Sequence, residues 1–426
     1  MARTVKFMGF LALIVLAHVL WSLHAERRGG GDDDPADATT TTSSSSTSPS
    51  LSAPTAESFA ARTPASWPMY RGDAAMSGAC EGRLGDKLKL VWRFRAGKDA
   101  ATADKAAVKS SAVIDGGKVF IGANNGKVYA LDLDNNNNGE ELWSFPAGAA
   151  VSAPPMLLGD RVIVGDERGV VYCLDASDGS PRWTTTTGAK VVAAANHFVD
   201  STGRDCVLVG SWDRSLYCLS ASDGQTLWSI PMGNYVNAPC SLEGNTAALP
   251  VCDGSVRVLD LAAKKVVWEM PTSGMVASAV ALRSGRGYAA DSNGGDNLYC
   301  IDLSSGNEVW KQPLSGPTLS PASVTADRVL VATSAMSGAA LHCFTLDGQE
   351  VWRHEMSAGS SAGPLVVGDR VLLAGDDGYL RLLRLSDGGQ IDAYRVGGCI
   401  ESSPAVAGGY IVVGCNDGYV YAFRTE

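Results

Sequence analysis

From about residue 110 onward, apolar residues fall in short runs of four to six separated by polar turns, and the runs themselves repeat. One strand of the repeat recurs as Val128-Tyr129-Ala130-Leu131, Val171-Tyr172-Cys173-Leu174, Leu216-Tyr217-Cys218-Leu219, Val256-Arg257-Val258-Leu259, Leu298-Tyr299-Cys300-Ile301, Leu341-His342-Cys343-Phe344, Leu380-Arg381-Leu382-Leu383 and Val420-Tyr421-Ala422-Phe423. Most copies follow a polar turn ending in glycine, such as Asn124-Asn125-Gly126 or Asp376-Asp377-Gly378, which suits a tight hairpin. Upstream lies a β-branched strand such as Arg161-Val162-Ile163-Val164-Gly165. Downstream, a turn leads to a further strand with one aromatic residue: Trp143, Trp183, Trp228, Trp268, Trp310, Trp352 and, in the seventh copy, Tyr394. The eighth copy ends at Glu426 without that strand, whereas residues 89–97, carrying Trp92, match it. A four-stranded unit of this size cannot bury its faces alone, and radial stacking leaves only short edges. The pattern predicts an all-β, eight-bladed β-propeller of four-stranded antiparallel blades, closed by pairing residues 89–97 with the last repeat. A bulky aromatic at one register in each copy reads as a wedge between blades rather than a binding platform.

The N-terminus is different in kind. Phe7 to Leu23 is apolar, follows Arg3 and Lys6, and precedes Arg27 and Arg28, so residues 1–25 read as either a cleaved signal peptide or an uncleaved signal anchor. No cysteine follows the run closely, which argues against a lipoprotein anchor. Residues 26–65 are rich in Ser, Thr, Asp and Gly and cannot bury enough apolar surface to order themselves. They form a tether to a propeller at 66–426. The chain is thus expected outside the cytoplasm, in the periplasm or cell envelope, held at the membrane or released according to the fate of the first segment. An acidic pI near 5.1 argues against a nucleic-acid partner.

Departures from the repeat carry the candidate chemistry. An insertion in the first copy places Asp134, Asn136 and Asn138 ahead of Gly139, which matches the first half of a calcium loop, although the position for its bidentate glutamate is Phe145. A plain polar loop is the alternative. Four of the ten cysteines, Cys173, Cys218, Cys300 and Cys343, share one column with Ala130, Val258, Leu382 and Ala422 and read as packing. Cys240 with Cys252, and Cys399 with Cys415, flank hairpin turns and are candidate disulfides across first and second strands. The tips between second and third strands carry Asp166, Glu167, Asp213, Asp253, Asp291, Asp376, Asp377 and Asp417, which predicts an acidic rim, with turn chemistry as the alternative reason for many of them. Trp212 and Met336 break the polar rule there and are candidate partner contacts.

The run Tyr172 to Trp183, Tyr-Cys-Leu-Asp-x-x-Asp-Gly-x-x-x-Trp, resembles the tryptophan-docking repeat of the pyrroloquinoline quinone (PQQ)-like propellers. The opening Trp67-Pro68-Met69-Tyr70-Arg71-Gly72 is similar to a lead-in common in bacterial members. The resemblance spans Trp67 to Glu426 and implies either a scaffold like the eight-bladed outer-membrane assembly factor BamB or a quinoprotein-like oxidoreductase. Quinoprotein dehydrogenases carry adjacent cysteines, calcium ligands and a catalytic aspartate. Here no two cysteines are adjacent, and small residues such as Ser110-Ser111, Ala193-Ala194 and Ser402-Ser403 open the innermost strands, with only Lys109 and Glu401 beside them. No catalytic residue is assigned, and neither PQQ nor any other cofactor is expected, apart from the calcium considered above. The expected function is a non-catalytic, monomeric scaffold that binds a protein partner through a rim face; a carbohydrate-binding module is a further alternative.

Overall fold

Apolar runs as continuous as Lys118–Ala123, buried at nearly every position, need a neighbour on both faces of the sheet. Radial stacking supplies both. The computed structural model describes residues 63–97, 106–134, 139–335 and 338–426, so the export segment and residues 26–62 of the tether lie outside the described residues. Every named element is a strand, arranged in eight antiparallel four-stranded blades. Blade 1 consists of Val113–Asp115, Lys118–Ala123, Lys127–Asp132 and Glu141–Pro146, and six successive blades repeat that order. Blade 8 takes Ala405–Ala407, Tyr410–Gly414 and Tyr419–Thr425 from the C-terminus and Leu88–Arg95 from the N-terminus, with Trp92 opposite Ala422.

The fourth strands lie at the perimeter, and each carries a register shift against the third strand within a residue or two of the aromatic column. Such an irregularity re-aims a side chain. Five indoles reach the next blade and donate to a backbone carbonyl at 2.8–3.3 Å: Trp92 to Leu133, Trp143 to Ala176, Trp183 to Ala221, Trp310 to Leu346 and Trp352 to Leu385. The ring lies against a glycine of that blade's last turn, as Trp143 does on Gly179 and Trp268 on Gly306. Trp228 meets a different turn, in which Lys264 holds the left-handed conformation at φ 54°.

The seventh blade departs from its expected pattern. The residue opposite the third-strand column there is Asp392, facing Leu382, and Tyr394 sits two positions further on. Blade 8 takes its fourth strand from Leu88–Arg95, so no hairpin turn joins its third and fourth strands to offer a glycine to blade 7. Asp392 instead accepts the Leu88 N–H at 2.7 Å, and Tyr394 packs edge-on against Phe423 at 5.0 Å.

A second correction concerns the cysteines. Hairpin register sets Ser241 opposite Ala248 and Ala405 opposite Val412, so Cys240 falls in line with Leu249, and Cys415 with Ser402. Neither candidate pair faces across its hairpin, and all ten cysteines are free thiols.

The largest addition to the expected fold is inside the ring. Residues 64–80 run along the innermost strands and touch every blade. Backbone N–H groups of Gly408, Leu157, Leu242, Leu282, Val324 and Val366 donate to carbonyls of Pro64, Pro68, Ala74, Ala75, Ser77 and Gly78, while Trp67 and Ile114 exchange bonds in both directions. In blade 3 the Asn196 side chain donates to Ala74 O at 2.8 Å. Ala79–Cys80 then adds to blade 7 as a parallel fifth strand. Arg71 is 2% exposed, and its Nη2 donates to Ala322 O at 3.0 Å and Ser323 Oγ at 2.6 Å. Burial lowers its pKa to about 10.

Gly179 sits at φ 75°, where an added Cβ would lie 2.6 Å from the Trp143 ring. Gly179→Ala is therefore expected to lower unfolding stability by about 2–4 kcal/mol, combining left-handed strain with overpacking. Lys264→Gly removes the same strain and is expected to be neutral or stabilising by up to about 1 kcal/mol. Urea denaturation of the two variants checks the contrast.

Candidate functional site

Each hairpin between second and third strands is tied to the segment leading into the first strand by one recurring bond. Backbone N–H groups of Asn124, Glu167, Trp212, Cys252, Ser292, Ser334, Asp376 and Asn416 donate to carbonyls of Ala107, Ala150, Lys190, Tyr235, Met275, Pro317, Gly359 and Cys399, at 2.7–3.3 Å. This bond sets one tip residue beside one lead-in residue in every blade, around the channel mouth opposite residues 64–80.

Two polar chains occupy the mouth. On one side, Ser152 Oγ donates to Glu167 at 3.2 Å, and Glu167 pairs with Lys190 at 2.6 Å. The Lys190 ammonium lies 5.5 Å from the Trp212 ring centre, Trp212 Nε1 donates to Asn237 Oδ1 at 3.1 Å, and Trp212 leans on Tyr235 at 5.4 Å. On the other side, Lys109 pairs with Glu401 at 3.1 Å, and Asn416 Nδ2 donates to the same carboxylate at 2.6 Å. Asp376 accepts from both the backbone N–H and the hydroxyl of Ser361. Burial, aided by the negative charge of Glu401, pushes the Asp376 pKa up to about 7, against the lowering effect of Ser361.

The other predicted rim acids do not form an acidic face. Asp213 accepts from Tyr217 Oη at 2.6 Å and from Gly188 N at 2.7 Å. Asp417 accepts from Tyr421 Oη at 2.5 Å and Tyr419 N at 2.9 Å. Asp377 is held by Arg381 and by Ser357 Oγ. Asp166 and Asp291 are fully buried, each accepting from the tyrosine of its own third strand. These carboxylates close turns and join blades, because a tight turn leaves N–H groups that an Asp side chain can satisfy.

The small residues expected to line the mouth are divided by the same geometry. Ser110, Ser111, Ser402 and Ser403 are buried between blades, where Ser110 Oγ donates to Ala153 O at 3.1 Å and Ser403 N donates to Ser111 Oγ at 2.9 Å. Ser152, Asn237 and Ser361 remain part-exposed. Glu167 was expected as a rim acid, whereas Lys190 and Tyr235 were not singled out from the chain. A constant fifteen-residue spacing, as in Ser152/Glu167, Ser361/Asp376 and Glu401/Asn416, would have marked several of the mouth residues. Asn136, Asn138 and Met336 lie outside the described residues; Asp134 is exposed, and its N–H donates to Asp132.

The donor set does not suit a metal and quinone. Glu167 and Glu401 are each neutralised by a lysine, Asp376 is bonded to Ser361, and among the described residues no three His, Cys, Asp or Glu side chains converge as metal ligands. The arrangement can offer an aromatic surface ringed by compensated charges.

The chain matches the family model described as outer membrane protein assembly factor BamB over residues 132–248 and 252–426. Among solved structures, BamB from Moraxella catarrhalis is similar with a TM-score of 0.64 at 18% identity, covering 80% of this chain and 98% of that one. Quinohemoprotein alcohol dehydrogenase from Comamonas testosteroni gives 0.67 at 14% identity, over 86% and 81% of the two chains. A europium-containing methanol dehydrogenase gives 0.67 at 12% identity, over 85% and 98%. At these identities the structural likenesses show a shared propeller. No curated protein matches the sequence.

Because its folded pKa is raised, Asp376 keeps a proton between about pH 4 and 7 that the unfolded chain releases, so its contribution to stability falls as pH rises through that window. Asp376→Asn is expected to match the parent protein near pH 4 and to exceed it above pH 7 by on the order of 1–2 kcal/mol. Chemical denaturation at pH 4.5, 6 and 8 reads the trend.

Proposed function

Since the chain belongs to the family of the outer membrane protein assembly factor BamB, we propose that it is a non-catalytic scaffold outside the cytoplasm that binds a protein partner through the hairpin face around its channel mouth. The observation that carries this reading is the Trp212 cluster. A part-exposed indole is held at a fixed angle by Tyr235, Asn237 and Lys190, each from the lead-in segment of its own or the next blade. Rigid aromatics framed by polar groups contribute most of the binding energy in protein interfaces. The surrounding charges are already paired within the chain, so the face can be covered without stranding a lone ion. Assembly of envelope proteins is the setting that the family suggests.

The charge-compensated mouth supports a binding role over chemistry. A quinoprotein-like reaction would need carboxylates free to hold a cofactor's metal, and Glu167 and Glu401 at the mouth are each paired with a lysine.

A photo-crosslinker at Asn237 in native membranes is expected to yield a discrete adduct that Trp212→Ala reduces by about ten-fold or more. An adduct unchanged by Trp212→Ala would remove this face from the proposal. PQQ with calcium is expected to leave the melting temperature unchanged; thermal stabilisation together with dye-linked alcohol oxidation would replace the scaffold reading with an enzymatic one.

A further inference from the structure

A residue pair that two adjacent blades share and the other six lack marks where this ring has been specialised. The third strand opens with Lys127, Val170, Ser215, Ser255, Asn297 and Ala340 in blades 1 to 6, but with Tyr379 and Tyr419 in blades 7 and 8. The residues directly opposite, ending the fourth strands, are Pro146, Thr186, Pro231, Pro271, Pro313 and Glu355 in the first six, and Arg395 and Arg95 in the last two. The two substitutions occur together, as a tyrosine facing an arginine, on both sides of the seam where the ring closes.

The side chains converge there. Arg93 and Arg95 place their guanidinium carbons 5.1 and 5.9 Å from the Tyr419 ring centre, and Arg395 lies 5.7 Å from that of Tyr379. Between the blades is a groove of about 520 Å³ whose lining includes Leu90, Arg93, Tyr394, Arg395 and Tyr419 together with Asp417 and Tyr421. Asp417 is already bonded to Tyr421 and the Tyr419 N–H. Unlike Arg381 and Arg384 in blade 7, which are salt-bridged, Arg93, Arg95 and Arg395 have no carboxylate within 4.0 Å among the described residues. In a chain of net charge −10, three uncompensated arginines beside one groove form a local positive site.

We propose that this seam groove binds an acidic, aromatic-containing peptide segment of a protein partner. Guanidinium groups supply paired donors matched to carboxylates, and their stacking on tyrosine faces pre-orients them. Tyr394 and Tyr419 offer ring surface to an aromatic side chain lying between two acids. The groove has room for a few side chains and is built from blades 7 and 8, away from the Trp212 cluster of blades 3 and 4. The inference stands independently of the Trp212 interface, since its determinants lie on different strands.

The test is fluorescence anisotropy of a fluorescein-labelled (Glu-Tyr)4 peptide with the intact protein. Saturable binding is expected, weakened about ten-fold or more by Arg93→Glu with Arg395→Glu, and weakened by added salt. The paired Arg93→Lys and Arg395→Lys changes are expected to retain part of the affinity, which keeps the test decisive if charge reversal impairs folding. Arg204→Glu in blade 3, away from the seam, is expected to leave binding unchanged. Hydrogen exchange should slow on peptide addition in residues 88–95 and 390–395. Absence of saturation up to about 1 mM, equal binding of (Lys-Tyr)4, or indifference to the arginine variants would each overturn the proposal. Capture of the protein by phosphatidylglycerol vesicles through the same arginines, without peptide binding, would also overturn it and identify a membrane-facing surface.

Discussion

The innermost strand of a propeller blade presents unpaired N–H groups to the channel, and buried backbone donors must find acceptors. Here the chain supplies its own. Residues 64–80 pass from blade 8 around to blade 7 and offer a carbonyl to every blade on the way. That circuit lines the innermost strands, places the Arg71 guanidinium in the interior against Ala322 and Ser323, and then delivers Leu88–Arg95 to the seam as the missing fourth strand. The inner lining and the ring closure are thus consecutive parts of one segment.

Around that centre the blades are joined in layers. At the perimeter, indoles lie on glycines of the next blade's turn and donate to its backbone. Nearer the mouth, polar side chains of the third strands reach back to the preceding connection. Tyr129, Tyr172 and Tyr299 accept from Gly97, Gly148 and Ser273 N–H groups at 3.0–3.2 Å, and His342 Nε2 meets Ser315 Oγ at 2.9 Å. The tip aspartates complete those contacts. A carboxylate used in this way keeps its charge but has its lone pairs engaged, so its first role is to fix the turn and join the blades.

Specialisation therefore appears where the repeat can vary without loosening the ring. At the mouth, Trp212 replaces a small or polar tip residue, and Lys190 with Glu167 frames it. At the seam, the strand borrowed from residues 88–95 leaves blade 8 without a turn between its third and fourth strands, Asp392 takes the place of an indole, and arginine and tyrosine gather beside it. One site offers a compensated aromatic surface and the other an uncompensated positive groove, which suits them to different chemistry on a partner.

The architecture was legible in the chain because each strand's hydrophobic period and each turn's glycine are local signals, repeated eight times. Counting third and fourth strands located the closing segment within one or two residues of Leu88–Arg95. Features depending on register across strands were not legible. Tyr394 looked like the seventh wedge by spacing alone, whereas pairing set Asp392 in that column. Cys240 and Cys252 flank a turn in sequence but are three positions out of line across it. The tip aspartates read as a charged face because composition does not tell which N–H or tyrosine hydroxyl consumes a carboxylate. The sequence by itself determined the all-β class, the number of blades and the point of closure, since those follow from periodicity. Only the tertiary structure decided that residues 64–80 line the innermost strands and that Arg93 and Arg395 share a groove, since both require the ring to be closed before distant residues meet.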